Sequence, residues 1–109
     1  IWQEVKSQHS EKPWTVVSSG WQLSRKLSEL MLTGRLIALD IETTGLDPFK
    51  DELLLIQLGT KSHTLIIDCR AIGEEIKLLA PLLASEDFGK LGHNLSFDCY
   101  FLEVKGLKV

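Results

Sequence analysis

Two acids stand two positions apart in "ALDIETTGLDPF" (38–49), where an apolar run from Leu36 to Ile41 is interrupted by Asp40 and followed by Glu42. A charge set among residues that pack together costs several kcal/mol unless it is paired, hydrogen-bonded or protonated. If the run is a strand, the pleat sends both acidic side chains to one side, with Cα atoms about 6.5–7 Å apart. The longer Glu42 can then bring its carboxylate toward that of Asp40. Two such charges at about 4 Å repel by roughly 4 kcal/mol at an effective dielectric of 20. A hard divalent cation removes the repulsion, because Mg²⁺ takes oxygen ligands from one or two carboxylates and from substrate phosphates. A bare Asp-x-Glu is common, and two solvated acids at a strand end are the plainer reading of these residues alone. Residues 40–51 also carry the outline of a calcium loop, with Gly45 in sixth and Asp51 in twelfth place. Such a loop needs a helix before it and a Glu at its end, where this sequence has a strand pattern and an Asp.

A third acid follows in "LGHNLSFDCYFL" (91–102). Asn94 and Asp98 are four apart, hence on one face of a helix that Asn94 is placed to cap. The plainer reading of Asp98 is a first-turn acid favoured by the helix dipole. Topology adds to it: if residues 89–92 form a strand parallel to 36–42, the helix starts at the end where Asp40 and Glu42 emerge. Three carboxylates would then face one crevice, where open α/β sheets bind ligands.

The elements that must position these acids follow from pattern. Residues 1–13 are polar and read as a leader or linker, and 14–109 as the folded part. "WTVVSS" (14–19) has the β-branched content of a strand. Leu23, Leu27, Leu30 and Met31 fall on one face of a helix over 21–32, with Ser19 as a cap and Gly34 as a stop. The near-continuous apolar run 35–42 predicts a strand covered on both faces. Gly45 and Asp47-Pro48 mark a loop, and 52–59 with 63–69 form a hairpin. Ile72, Ile76, Leu79 and Leu83 share a helical face, broken or restarted at Pro81. A short strand and turn over 89–94, a helix over 95–106 closed by Gly106, and a new strand from Leu107 complete the chain. The expected fold is α/β, a mixed sheet flanked by helices that begins as an antiparallel meander and continues through a right-handed parallel crossover.

The 109 residues suffice for one small domain, and the opening at Ile1 rather than Met suggests a piece of a longer protein. No apolar run approaches the roughly 18 residues of a membrane span, and the start has no signal-peptide pattern, so a cytoplasmic domain without membrane contact is expected. Cys69 and Cys99 read as core residues rather than a disulfide. The net charge of −3 argues against a broad nucleic-acid-binding face, an objection that weakens for an acidic site neutralised by cations. Trp14 and Trp21 read as packing for the first strand and helix, Phe97 as core packing, and His63 as a solvated residue of the hairpin turn. His93 adjoins Asn94 and could touch substrate.

"LDIETTGLDP" (39–48) followed by "GHNLSFD" (92–98) closely resembles the first and second motifs of the DEDD 3′→5′ exonucleases, which have an RNase H-like fold. "ALDIETTGLDPFKDELLLIQLG" (38–59) and "LGHNLSFDCYFL" are most similar to the proofreading domain of family A, polymerase I-like DNA polymerases, with RNase D-type RNA exonucleases next. The resemblance covers about 14–109. It implies two divalent cations, Mg²⁺ or Mn²⁺, and hydrolysis of the 3′-terminal phosphodiester of single-stranded or frayed DNA, with RNA as the alternative substrate. Asp40 would bridge both ions, Glu42 would hold the first and help orient the attacking water, and Asp98 would hold the second. Thr43 and Leu46 match positions that contact the 3′-terminal nucleotide, and Asn94 would orient substrate or the acids. The family pattern also calls for a fourth carboxylate with a Tyr or His in a third motif, which this sequence lacks. The 109 residues are therefore expected to be an incomplete, inactive part of an exonuclease domain, which the resemblance to polymerase I-like proteins would have followed by the rest of that domain and a polymerase domain. An exonuclease-like module that only grips nucleic acid is the alternative from another class.

Overall fold

A computed structural model describes residues 13–33 and 35–109. Gly34, expected to stop the first helix, and residues 1–12 of the expected leader lie outside the described residues. The elements in chain order are β1 (Trp14–Val17), α1 (Gly20–Thr33), β2 (Leu36–Thr43), β3 (Leu53–Gly59), β4 (Thr64–Asp68), α2 (Cys69–Ile72), a 3₁₀ segment (Gly73–Leu79), α3 (Ala80–Ala84), β5 (Gly89–Leu91) and α4 (Leu95–Val104). They form one five-stranded sheet in the order β1-β4-β3-β2-β5. β2, β3 and β4 are the antiparallel meander, β5 pairs parallel with β2, and β1 pairs parallel with β4. The mixed α/β sheet is the one the patterning predicts.

Register explains the core. Leu39 pairs with Leu58 and Leu58 with Leu65, while Ile41 pairs with Ile56 and Ile56 with Ile67. All of these face one side, where Leu23, Leu27 and Leu30 of α1 and Ile72, Leu79, Leu82 and Leu83 of the 69–84 segment pack with them in one buried cluster. The expectation of a β2 covered on both faces is corrected: Ile37, Leu39 and Ile41 are buried, but Leu36, Ala38, Asp40 and Glu42 are exposed. The helices gather on the other face, and the strand alternates despite its unbroken apolar run.

Ser19 caps α1 as expected, its Oγ accepting from the Gln22 N–H at 3.2 Å. Met31 and Trp21 are exposed rather than packed, because the buried stripe of α1 is the narrow Leu23–Leu27–Leu30 line; Trp21 instead lies under the Arg25 guanidinium. The helical stretch expected over 72–85 restarts at Pro81 as expected, but before that point it is a 3₁₀ segment rather than an α-helix, and the short α2 precedes it. Asp68 Oδ1 caps α2 through the Ala71 N–H, Gly73 ends it at a positive φ of 65°, and Pro81 starts α3. His63, read as solvated, is partly buried and shares a 2.6 Å hydrogen bond between its Nε2 and the Thr15 hydroxyl. Both cysteines are free; burial, then the Asp68 charge, push the Cys69 thiol up to about 12, so it serves as core. Residues 107–109 carry no strand. Gly106, at φ 94°, donates to Glu103 O and Leu107 to Leu102 O, closing α4 in a Schellman motif that buries Leu107. No helix among the described residues is long and apolar enough to cross a membrane.

Candidate active site

β2 delivers Asp40 and Glu42 to the open face of the sheet, both exposed. The β2–β3 register then slips between Glu42 and Thr43. Such an irregularity twists a strand and re-aims the side chains at its end. Beyond it the chain is tied down by its own polar groups. Thr43 Oγ1 donates to Gly45 O at 2.6 Å, and Thr44 Oγ1 accepts from the Glu52 N–H at 2.8 Å. Asp51 Oδ2 accepts from the Asp47 N–H, and Asp47 Oδ1 from the Phe49 N–H, both at 2.9 Å. Asp47 and Asp51 thus hold loop amides, which disposes of the calcium-loop outline. Leu46 projects from this loop at 83% exposure.

The third acid arrives from the opposite direction. β5 pairs with β2 only from Leu36 to Ala38, leaving the following β2 edge for the turn at 92–94. Gly92 lies so close that a Cβ there would collide with the Leu39 carbonyl oxygen. Asn94 takes left-handed angles, φ 52° and ψ 46°, and its side chain makes no capping hydrogen bond, which corrects its reading as an N-cap. An N-cap needs extended backbone to aim its side chain at the first helical amides, and the tight turn against β2 forbids it. Phe97 packs against the core with its ring 5.8 Å from that of Phe101.

Asp98 is the buried polar residue of the described chain, 4% exposed. Its carboxylate accepts a hydrogen bond from the Ile41 backbone, while Oδ2 is buried with no hydrogen-bond partner. Burial first, and the charges of Asp40 and then Glu42, push it up to about 6 against the opposing pull of the Ile41 bond. The three predicted acids therefore act on one another electrostatically. They do not form a ready cage: among the described residues, no three His, Cys, Asp or Glu side chains are grouped to hold a metal ion by themselves. The donor chemistry fits a hard cation all the same, since an orphaned carboxylate oxygen beside two more carboxylates lacks a positive charge. Mg²⁺ habitually completes its shell with water and phosphate oxygens.

A groove of about 400 Å³ opens beside Asp40 on the same sheet face, with Gln57, Thr64 and His93 on its walls and Ala38 and Gly59 beneath. Sequence reading missed Gln57. Its signal was available: it pairs with Asp40 in the ladder and is the polar residue in the apolar stretch "LLLIQLG".

The model of the 3′-5′ exonuclease family matches residues 17–109. No curated protein sequence matches the chain. The catalytic core of RRP6 from Trypanosoma brucei has a TM-score of 0.74 at 25% sequence identity, over 84% of this chain and 25% of that one. Escherichia coli RNase D, an exoribonuclease involved in structured RNA processing, is 29% identical with a TM-score of 0.69, over 87% of this chain and 25% of that one. The EXO domain of Aedes aegypti Nibbler shares the fold, with a TM-score of 0.73 at 24% identity over 86% of this chain and 44% of its own. The chain thus spans about a quarter of the length of the RRP6 core and of RNase D. With the family model covering both acidic motifs and the same sheet recurring in these structures, the chain belongs to the 3′-5′ exonuclease family of the DEDD superfamily, and its fold is RNase H-like.

Proposed function

We propose that this domain serves metal-dependent hydrolysis of the 3′-terminal phosphodiester of a nucleic acid. The observation that carries the reading is the buried, unpartnered Oδ2 of Asp98 beside Asp40 and Glu42. Asp40, Glu42 and Asp98 would hold two divalent cations, Mg²⁺ or Mn²⁺, which when bound supply an activated water and neutralise charge on the leaving 3′ oxygen. Asp40 and Glu42 project from a sheet strand and Asp98 is fixed by the Ile41 amide, so these donors are placed before substrate arrives. The hydrogen-bonded loop presents exposed Leu46 as an apolar wedge against the terminal base, and Thr43 and Asn94 flank the acids as substrate contacts. Among the described residues, the acids whose charges raise Asp98 are Asp40 and Glu42. The family resemblance calls for a fourth carboxylate from a third motif that the 109 residues lack, and the 109-residue chain alone is proposed to cleave nothing measurable.

The motif resemblance favours DNA, as in proofreading domains attached to a polymerase. RNA is the second reading, favoured by the 29% identity to E. coli RNase D. Titration of the 109-residue chain with Mn²⁺, followed by electron paramagnetic resonance, tests the metal reading: binding should weaken in Asp40→Ala and Asp98→Ala, and unchanged binding in both would sink it. In the protein that carries this domain, 5′-labelled DNA and RNA of one sequence should shorten from the 3′ end at different rates, and the faster names the substrate.

A further inference from the structure

Three large side chains stand exposed on the loop that follows β2 and on α4, the elements that carry or follow the acids: Leu46 at 83%, Phe49 at 73% and Tyr100 at 52%. Two of them touch. The Phe49 and Tyr100 rings lie edge to face, with centroids 6.5 Å apart and planes at 69°. Phe49 belongs to the loop that leaves Glu42, and Tyr100 sits two residues beyond Asp98 on α4, so the pair bridges the two elements that bring the acids. Neither ring is a loose surface residue. The Phe49 amide is held by Asp47, which is held in turn by Asp51, and Pro48 between them is buried. Tyr100 stands on a helix whose first turn is locked to β2.

We propose that Phe49 and Tyr100 form a stacking platform for the bases of a single-stranded 3′ end lying in the acidic site; the proposal rests on the exonuclease reading above. An edge-to-face pair leaves ring surface open, and every base offers a π face, so such stacking grips a strand without reading its sequence. The pre-formed loop lowers the ordering cost of the contact. The acids need phosphates brought to them through cations, and the platform supplies the grip on bases that a site of net negative charge cannot supply electrostatically.

The test is binding of a 5′-fluorescein single-stranded oligonucleotide to the 109-residue chain with Mn²⁺, read by anisotropy, beside the same oligonucleotide with abasic residues at its 3′ end. Phe49→Ala, Phe49→Leu and Tyr100→Ala should each weaken binding of the intact strand about 5- to 100-fold and leave the abasic strand unaffected. Phe49→Trp and Tyr100→Phe should keep wild-type affinity. The exposed position of Phe49 makes an unchanged thermal midpoint the expected control. Equal affinity of Phe49→Ala and wild type for the intact strand, equal loss on both strands, or failure of the wild type to bind the intact strand more tightly than the abasic one would each overturn the platform. Asp40→Ala separates the two readings: it should weaken Mn²⁺-dependent binding of both strands, and if it does not, the exonuclease reading fails whatever Phe49 does.

Discussion

The carboxylate of Asp98 accepts a hydrogen bond from the backbone of Ile41, the residue between Asp40 and Glu42. β5 leaves β2 after Ala38, and a helix side chain takes over the strand edge that the sheet no longer pairs. The bond satisfies one carboxylate oxygen and carries the other, Oδ2, into a buried position without a partner. The exposure of Asp98 to the charges of Asp40 and Glu42 and the burial of its unpartnered Oδ2 thus have a single cause.

That burial has a pH signature. Asp98 is pushed up to about 6 from an ordinary 3.8, so the folded chain holds its proton more tightly than the unfolded chain. Its contribution to stability is full below pH 3.8 and is lost as pH rises through about 6, a swing of about 3 kcal/mol. Asp98→Asn removes the charge and keeps the shape. Its metal-free thermal midpoint at pH 7.5 should therefore exceed the wild type's by at least about 4 °C, and its stability should fall less between pH 4 and 6.5. Mn²⁺ binding should weaken in the same variant. A lower midpoint for Asp98→Asn at pH 7.5 would mean that Oδ2 is already compensated.

Gly92 and Gly20 make a matched pair of tests. A methyl group at Gly92 meets the Leu39 carbonyl oxygen, part of a paired strand that has nowhere to go. Gly92→Ala should cost about 1–3 kcal/mol and weaken Mn²⁺ binding by pushing α4 off β2. A methyl group at Gly20 meets only the end of the Glu75 side chain, which can swing away. Gly20→Ala should stay within about 0.5 kcal/mol of wild type. Chemical denaturation of both variants decides it.

Asn94 separates backbone from side chain. Its left-handed φ of 52° is tolerated by Asn and Gly and resisted by branched residues. Asn94→Gly should keep stability within about 0.5 kcal/mol, whereas Asn94→Val should lose about 1–2 kcal/mol. If the side chain contacts substrate, Asn94→Gly should bind the oligonucleotide more weakly at unchanged thermal stability. Equal binding would make Asn94 a conformational residue alone.

The meander, the parallel return and the pair of acids were legible because alternation and turn residues are local signals. Asp40 and Glu42 show themselves by type and spacing, and Asp98 by its four-residue offset from Asn94. What escaped depends on contacts between elements. His63 finds Thr15 across the β1–β4 pair, a parallel pairing that hairpin reasoning does not reveal. Asn94 is forced out of capping geometry by the nearness of Gly92 to Leu39. Met31 and Trp21 carry apolar side chains at helical spacing, yet α1 buries only the three leucines that reach the sheet. Phe49 and Tyr100 lie far apart in sequence, and only the folded chain sets one ring against the other.

Adjacent residues of β2 test the one-sided burial most directly. Ile37 is buried against the helices, while Leu36 is 58% exposed on the face that carries Asp40. Composition cannot distinguish them, since both are large aliphatic residues in one unbroken run. Burial can: Ile37→Ala removes packed methyl groups and leaves a cavity, at a cost of about 2–5 kcal/mol, whereas Leu36→Lys removes nothing from the core and should change stability by no more than about 0.5 kcal/mol. Urea titrations of the two variants at equal ionic strength make the comparison. A loss above about 2 kcal/mol for Leu36→Lys would show that in solution the acidic face of the sheet is covered, leaving less room for a strand of nucleic acid beside Asp40.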